Sequence, residues 1–246
     1  MDRYDSSENY DIQFTLCEAW DGKDSWEYRK DILFEVITRY QPFVIGTQEG
    51  LDFQLDEIID NTAGYERLGL ARDGAQSEYC AILFDESKLQ VFDSGDFWLS
   101  ETPDLPGSRS WNTSCVRMVT LARFFNKIDN REFCVFNTHF DHVSEEARQK
   151  SVMLVWHRIK YFGRNFPVLG RGDFNAIRDS TTWNFLTGNH ALKGQCGEMQ
   201  GAWLEAEEWI GNVAETYHGF KGHIVEEPFV DTGSAHIDWI LFYAKI

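Results

Sequence analysis

The run Phe166-Pro167-Val168-Leu169 stops at Gly170-Arg171-Gly172-Asp173-Phe174-Asn175. Four apolar residues closed by two glycines read as a buried strand of an α/β sheet followed by a sharp turn. The carboxylate of Asp173 and the amide of Asn175 then stand just past a strand's C-terminal edge, where open α/β sheets gather their chemistry. By itself the hexapeptide is equally well an Asx turn.

The rest of the chain repeats the pattern. Residues 12–16 alternate weakly as a strand, and Asp24-Ser25-Trp26-Glu27 has capping-box spacing ahead of an apolar stripe of Ile32, Leu33, Val36, Ile37 and Tyr40. Pro42 stops that helix. A short buried strand over 43–46 follows, then Glu49, then a helix over 51–61. Residues 79–84 and 88–92 read as paired strands about an Asp85-Glu86-Ser87 turn, and 116–125 and 132–140 as a longer hairpin. Ser144 caps a helix to about Phe162 with Ala147, Leu154, Val155, Ile159 and Phe162 inward, and 236–242 is a last strand. There is no repeat, low-complexity tract or linker, so 1–246 reads as one mixed α/β domain.

Polar groups therefore collect at four strand ends: Glu49, His139 with Asp141, Asp173 with Asn175, and His236 with Asp238. Alternation puts His236 and Asp238 on one face, and His139 and Asp141 on one face. Each has an ordinary structural role open to it: a helix-start acid, a backbone-bonded histidine, a turn cap or an ion pair. The formal charge of −17, from 40 acidic and 23 basic residues, argues against avid binding to a nucleic-acid backbone, although a divalent cation could still recruit a phosphate. Cys17, Cys80, Cys115, Cys134 and Cys196 show no paired metal-ligand spacing and read as buried free thiols of a reducing, intracellular compartment. No run reaches membrane-spanning length, and the N-terminus has no signal-peptide core.

The segments 47–50, 137–142, 172–175 and 236–241, in that order, resemble the endonuclease/exonuclease/phosphatase (DNase I-like) superfamily, and the likeness covers nearly all of 21–242. The resemblance implies a four-layer α/β/β/α sandwich of two mixed β-sheets and divalent-metal hydrolysis of phosphoesters, with Mg²⁺, or Mn²⁺, as cofactor. Carried over by position, Glu49 matches the metal-binding carboxylate and His139 the histidine on the scissile phosphate. Asp173 and Asn175 match the pair that orients the water and phosphate or assists the leaving group, and Asp238 the late-strand aspartate.

Two departures stand out. The family's first strand ends in an Asn; here either residues 3–7 follow a missing strand, or residues 12–17 supply it and Glu18 takes the Asn position as a metal ligand. No Ser-Asp-His segment occurs in the sequence. Both ends are thus expected to be incomplete, and this chain to be a weak or inactive catalyst. The acidic charge favours a small phosphate ester or a single-stranded nucleic-acid end as substrate. Trp98, Trp111, Trp183, Trp203 and Trp209 could stack a base or sugar, although large aromatics more often fill cores. His142 and Arg117 could hold phosphate, with a surface salt bridge the expected role for Arg117. The competing readings are a non-catalytic phosphate-binding module and a sphingomyelinase-type phosphodiesterase, the latter opposed by the lack of a membrane-binding apolar hairpin.

Overall fold

The computed structural model describes residues 11–16, 22–207, 215–217 and 236–244; Glu18, Cys17 and Trp209 lie outside them. Its elements run β1 (Asp11–Thr15), α1 (Trp26–Tyr40), β2 (Val44–Gln48), α2 (Asp52–Asn61), β3 (Tyr65–Leu68), β4 (Ile82–Asp85), β5 (Leu89–Trp98), β6 (Met118–Asn126), β7 (Arg131–His139), α3 (Glu145–Phe162), β8 (Val168–Asp173), α4 (Thr181–Leu186), β9 (Gln200–Gly201), α5 (Ala202–Glu205) and β10 (Asp238–Tyr243). They form two mixed sheets, one ordered β1-β2-β4-β3 and the other β5-β6-β7-β8-β10-β9. No helix among the described residues is long and apolar enough to cross a membrane.

Three apolar clusters build the expected four layers. Leu16, Trp26, Ile37, Ile45, Leu55, Ile58 and Leu83 seat α1 and α2 on the smaller sheet. Val44, Ile82, Phe84, Leu89, Ala122, Phe124 and Val135 fill the space between the sheets. Phe136, Val152, Val155, Trp156, Ile159, Trp183, Phe185 and Leu241 seat α3 and α4 on the larger one. Strands buried on both faces read as continuous apolar runs, which is why 43–46 was legible; the run 166–169 enters β8 only at Val168, with Pro167 exposed before it.

Several local expectations change. Strands β4 and β5 do not pair; the tight turn between them carries the chain from one sheet to the other. Asp85 organises that turn, accepting from the Ser87 N–H at 2.9 Å and from the Lys88 ammonium at 3.0 Å. The edge strand β3 pairs with β4 in the place expected of β5. Ser25 makes no side-chain cap bond, and Ile32, expected inward, is 65% exposed. Ser144 does cap α3, accepting from the Ala147 N–H. Cys80 and Cys134 are buried as expected, but Cys115 is half-buried and Cys196 exposed.

The sheets are also joined by polar side chains. Asn137 on β7 donates to the Thr47 and Ala81 carbonyls at 3.0 and 2.9 Å, and Gln48 donates to its carbonyl oxygen at 2.6 Å. Arg171 on β8, fully buried, donates to the Ile12 and Val44 carbonyls at 3.1 and 3.2 Å. Each bond satisfies a backbone or amide group that burial would otherwise leave unpaired. Together they hold the ends of β1 and β2 against β7 and β8.

The glycines of the central hexapeptide lie inside β8 rather than ending it. Gly172 has φ +145, and a Cβ there would overlap the Thr138 carbonyl of the adjacent strand. This close approach sets Asp173 beside His139. Gly172→Ala is therefore expected to destabilise the fold by about 3 kcal/mol, read as a lowered chemical-denaturation midpoint with an unchanged slope.

Candidate active site

Strand register assembles the site. β8 pairs in parallel with β7 and antiparallel with β10, which sets His139, Asp173 and Asp238 side by side at one end of the larger sheet. The smaller sheet arrives through β1 and β2: the Thr15 hydroxyl donates to Asp238 Oδ1 at 3.2 Å, and Glu49 follows β2 directly. Glu49 has φ +58 and Asn175 φ +44. A non-glycine residue held in the left-handed region carries strain, and such strain gathers at functional sites.

Asp173 is buried, and its Oδ1 accepts from the Asn175 N–H at 2.7 Å while the Asn175 amide donates to the Phe140 carbonyl at 3.0 Å. Burial, then the charge of Asp238, pushes the Asp173 carboxyl up to about 8; Glu49 adds to this, and the Asn175 N–H and Arg117 oppose it. His139 Nε2 lies 3.6 Å from Asp173 Oδ2. That contact is no ion pair. Burial first, then Arg117, Arg72 and His142, holds the imidazole well below its ordinary value, so the ring is neutral.

A narrow cleft lies here, lined by Glu49, Arg72, Glu78, Tyr79, Cys80, Val116, Arg117, Met118 and His139. Ligand atoms of Glu49, Glu78 and His139 all lie within 4.8 Å of one another, a spacing that one divalent cation can bridge. Arg72 steadies Glu78 at 2.7 Å. Arg117 is 4% exposed, which corrects the expected surface salt bridge. Its Nη2 donates to His142 Nδ1 at 3.0 Å, its Nε is 3.9 Å from Asp141 Oδ1, and its Nε and Nη1 have no hydrogen-bond partner. A buried guanidinium with two unpaired N–H groups is an exception to the rule that buried donors find partners.

Asp141 does not join His139 on a catalytic face. It accepts from the Ser114 N–H and hydroxyl and from the Val143 and Ser144 N–H groups. Burial works against its charge, but these donors outweigh it and keep the carboxyl below its usual value. Nor does His236 accompany Asp238: it precedes β10 and stacks on Trp239, with ring centroids 4.0 Å apart. The structure thus brings Glu49, His139, Asp173, Asn175 and Asp238 together. It adds Glu78, never singled out by sequence pattern, and it buries Arg117, which the sequence offered as a phosphate holder but expected in a surface salt bridge.

No family model matches the chain. Known proteins similar to it include the following. An endonuclease/exonuclease/phosphatase from Bacteroides vulgatus superposes with a TM-score of 0.82 at 31% identity, covering 94% of this chain and 85% of that one. A Bacteroides thetaiotaomicron mannosyl-6-phosphatase superposes with a TM-score of 0.81 at 27% identity, over 94% and 84%. An uncharacterised protein of Acanthamoeba polyphaga mimivirus is 27% identical over 160 residues, 61% of this chain and 59% of that one. The match spans 59%, 48% and 24% of the lengths of three curated relatives. With its two-sheet sandwich, its strand-end constellation and a relative of 31% identity matched along most of both chains, the chain belongs to the endonuclease/exonuclease/phosphatase family.

Proposed function

We propose that this protein hydrolyses phosphoesters with a divalent cation, acting on a small phosphate ester or a single-stranded nucleic-acid end. The observation that carries the reading is the convergence of Glu49, Glu78 and His139 within 4.8 Å beside the unused donors of buried Arg117. The similarity to a mannosyl-6-phosphatase supports the phosphate-ester half of it.

Glu49 and Glu78 would hold the cation, since Mg²⁺ and Mn²⁺ favour oxygen ligands; Glu18, the other sequence candidate, lies outside the described residues. A bound Mg²⁺ would supply positive charge against the phosphoryl oxygens. The protein's own groups do the rest. Arg117 donates to the same oxygens, and neutral His139 can donate an N–H to one of them. Asp173, once ionised, takes a proton from the attacking water as the oxygen–phosphorus bond forms and the bond to the leaving group breaks, and passes that proton on to the departing alkoxide. Asn175 fixes the Asp173 carboxylate, and Asp238 helps keep its affinity for a proton high.

The test is turnover of a panel of sugar phosphates, glycerol phosphate and short single-stranded RNA and DNA, with Mg²⁺ or with chelator. Hydrolysis is expected only with the cation, and Glu49→Gln is expected to raise the Mg²⁺ concentration for half-activity about 10²-fold. Equal turnover in chelator would refute the metal assignment. Phosphate binding with no turnover of any ester would favour the non-catalytic module instead.

A further inference from the structure

The cleft is lined by a second arginine that the chemistry above leaves unused. Arg72 stands on the connection between β3 and β4, which also carries Glu78. The backbone there is fixed. The Arg72 N–H donates to the Glu78 carbonyl at 2.9 Å, and the Arg72 carbonyl accepts from the Trp98 indole N–H at 2.7 Å. The Tyr79 N–H donates to the Gly50 carbonyl at 2.8 Å, which keeps Glu78 close to Glu49. Any rearrangement is therefore left to side chains, and these two meet each other: Arg72 Nη1 lies 2.7 Å from Glu78 Oε2, with both side chains partly exposed and able to turn. Each also faces a ligand position. Glu78 converges with Glu49 and His139 where a cation fits. After burial, Arg117 and Arg72 are what keep the His139 ring neutral, so both guanidinium groups stand near that ring.

We propose that Arg72 is a second phosphate-holding residue, released to the phosphate when a divalent cation takes Glu78, so that cation and phosphate bind cooperatively. The inference rests on the phosphoester reading above, and within it on Glu78 as a cation ligand. Without the cation, Arg72 and Glu78 neutralise each other. A dication on Glu78 draws charge from that carboxylate and repels the guanidinium. The Arg72 donors then turn to the anionic phosphate, whose oxygens a planar fork of N–H groups fits. Arg117 differs, because its Nε and Nη1 have no partner and are offered with or without the cation. The cleft thus carries one standing set of anion donors and one conditional on the cation. The coupling must be reciprocal: phosphate tightens the cation as much as the cation tightens phosphate.

The experiment is calorimetric titration of the full chain with inorganic phosphate, in chelator and in saturating Mg²⁺, and with Mg²⁺ alone. It is run on the parent, Arg72→Met, Glu78→Gln and the double variant. Mg²⁺ is expected to tighten phosphate in the parent, and in Arg72→Met that gain should shrink about tenfold, the middle of the usual range for coupled sites. In chelator Arg72→Met should bind phosphate as the parent does. Mg²⁺ alone should bind Arg72→Met more tightly than the parent, because no ion pair has to be broken; a residue that merely aimed Glu78 would give the opposite sign. Glu78→Gln, which frees Arg72 without a cation, should tighten phosphate in chelator, and the double variant should lose that gain. Weaker Mg²⁺ binding by Arg72→Met, an equal Mg²⁺ gain in parent and Arg72→Met, or a double variant that keeps the gain overturns the coupling and leaves phosphoester hydrolysis standing. A parent that binds no phosphate in Mg²⁺ overturns both.

Discussion

Asp173→Asn is expected to cut kcat about 10³-fold while making the cation-free protein more stable at pH 8. The rate loss follows from removing the general base, for which 10² to 10⁴ is the usual scale. The stability gain follows from linkage. The folded carboxyl keeps its proton up to about pH 8, because burial and the charges of Asp238 and Glu49 oppose ionisation. In the unfolded chain it ionises near 4. Between those values the folded state binds more protons, so stability falls as pH rises through the window and the full penalty is present above 8. Asparagine keeps an oxygen for the Asn175 N–H, whose bond measures 2.7 Å, and carries no charge. Melting temperature against pH in chelator, for parent and variant, checks the sign: the parent curve should decline from pH 5 to 8 and the variant curve should be flatter. A variant that is both inactive and less stable at pH 8 would make Asp173 a structural residue.

The layers of the fold were legible because strands buried on both faces and helices with one apolar stripe leave contrasting patterns. Phe43 to Gly46 is a run of the first kind. Sheet partnership was not legible. The Asp85-Glu86-Ser87 turn looks the same whether the chain folds back on itself or steps to the other sheet, and only burial of Leu89 between the sheets settles which. β3 was missed because four residues with an exposed Glu66 give too short an alternation. The site residues at strand ends were found because glycines and polar groups interrupt apolar runs there. Glu78 was not, since it reaches the cleft through single bridges of Tyr79 to Gly50 and Ala71 rather than from a strand. The sequence offered Arg117 as a phosphate holder but put it at the surface, because the run from Val116 to Phe125 holds a second arginine, Arg123, and pattern alone does not tell which is buried; the buried one is Arg117.

That arginine supports the second large effect. Arg117→Met should lower kcat/KM about 10³-fold and leave stability within about 1 kcal/mol. The first figure takes two charge-assisted hydrogen bonds to phosphate at about 2 kcal/mol each, together near three powers of ten. The second rests on what Arg117 does without substrate. Its Nε and Nη1 have no partner, and its approach to Asp141 is 3.9 Å, a carboxylate already satisfied by four donors. A buried charge so poorly compensated stabilises little, and an apolar side chain of similar length is a neutral exchange. Arg117→Lys should not restore function, because a single ammonium cannot present two donors in the guanidinium's fixed fork. Inorganic phosphate gives the direct measurement. Its inhibition constant should rise about as far as kcat/KM falls in Arg117→Met and recover less than tenfold in Arg117→Lys. An unchanged constant in either variant would remove Arg117 from the anion site and return it to a purely structural role beside Asp141 and His142.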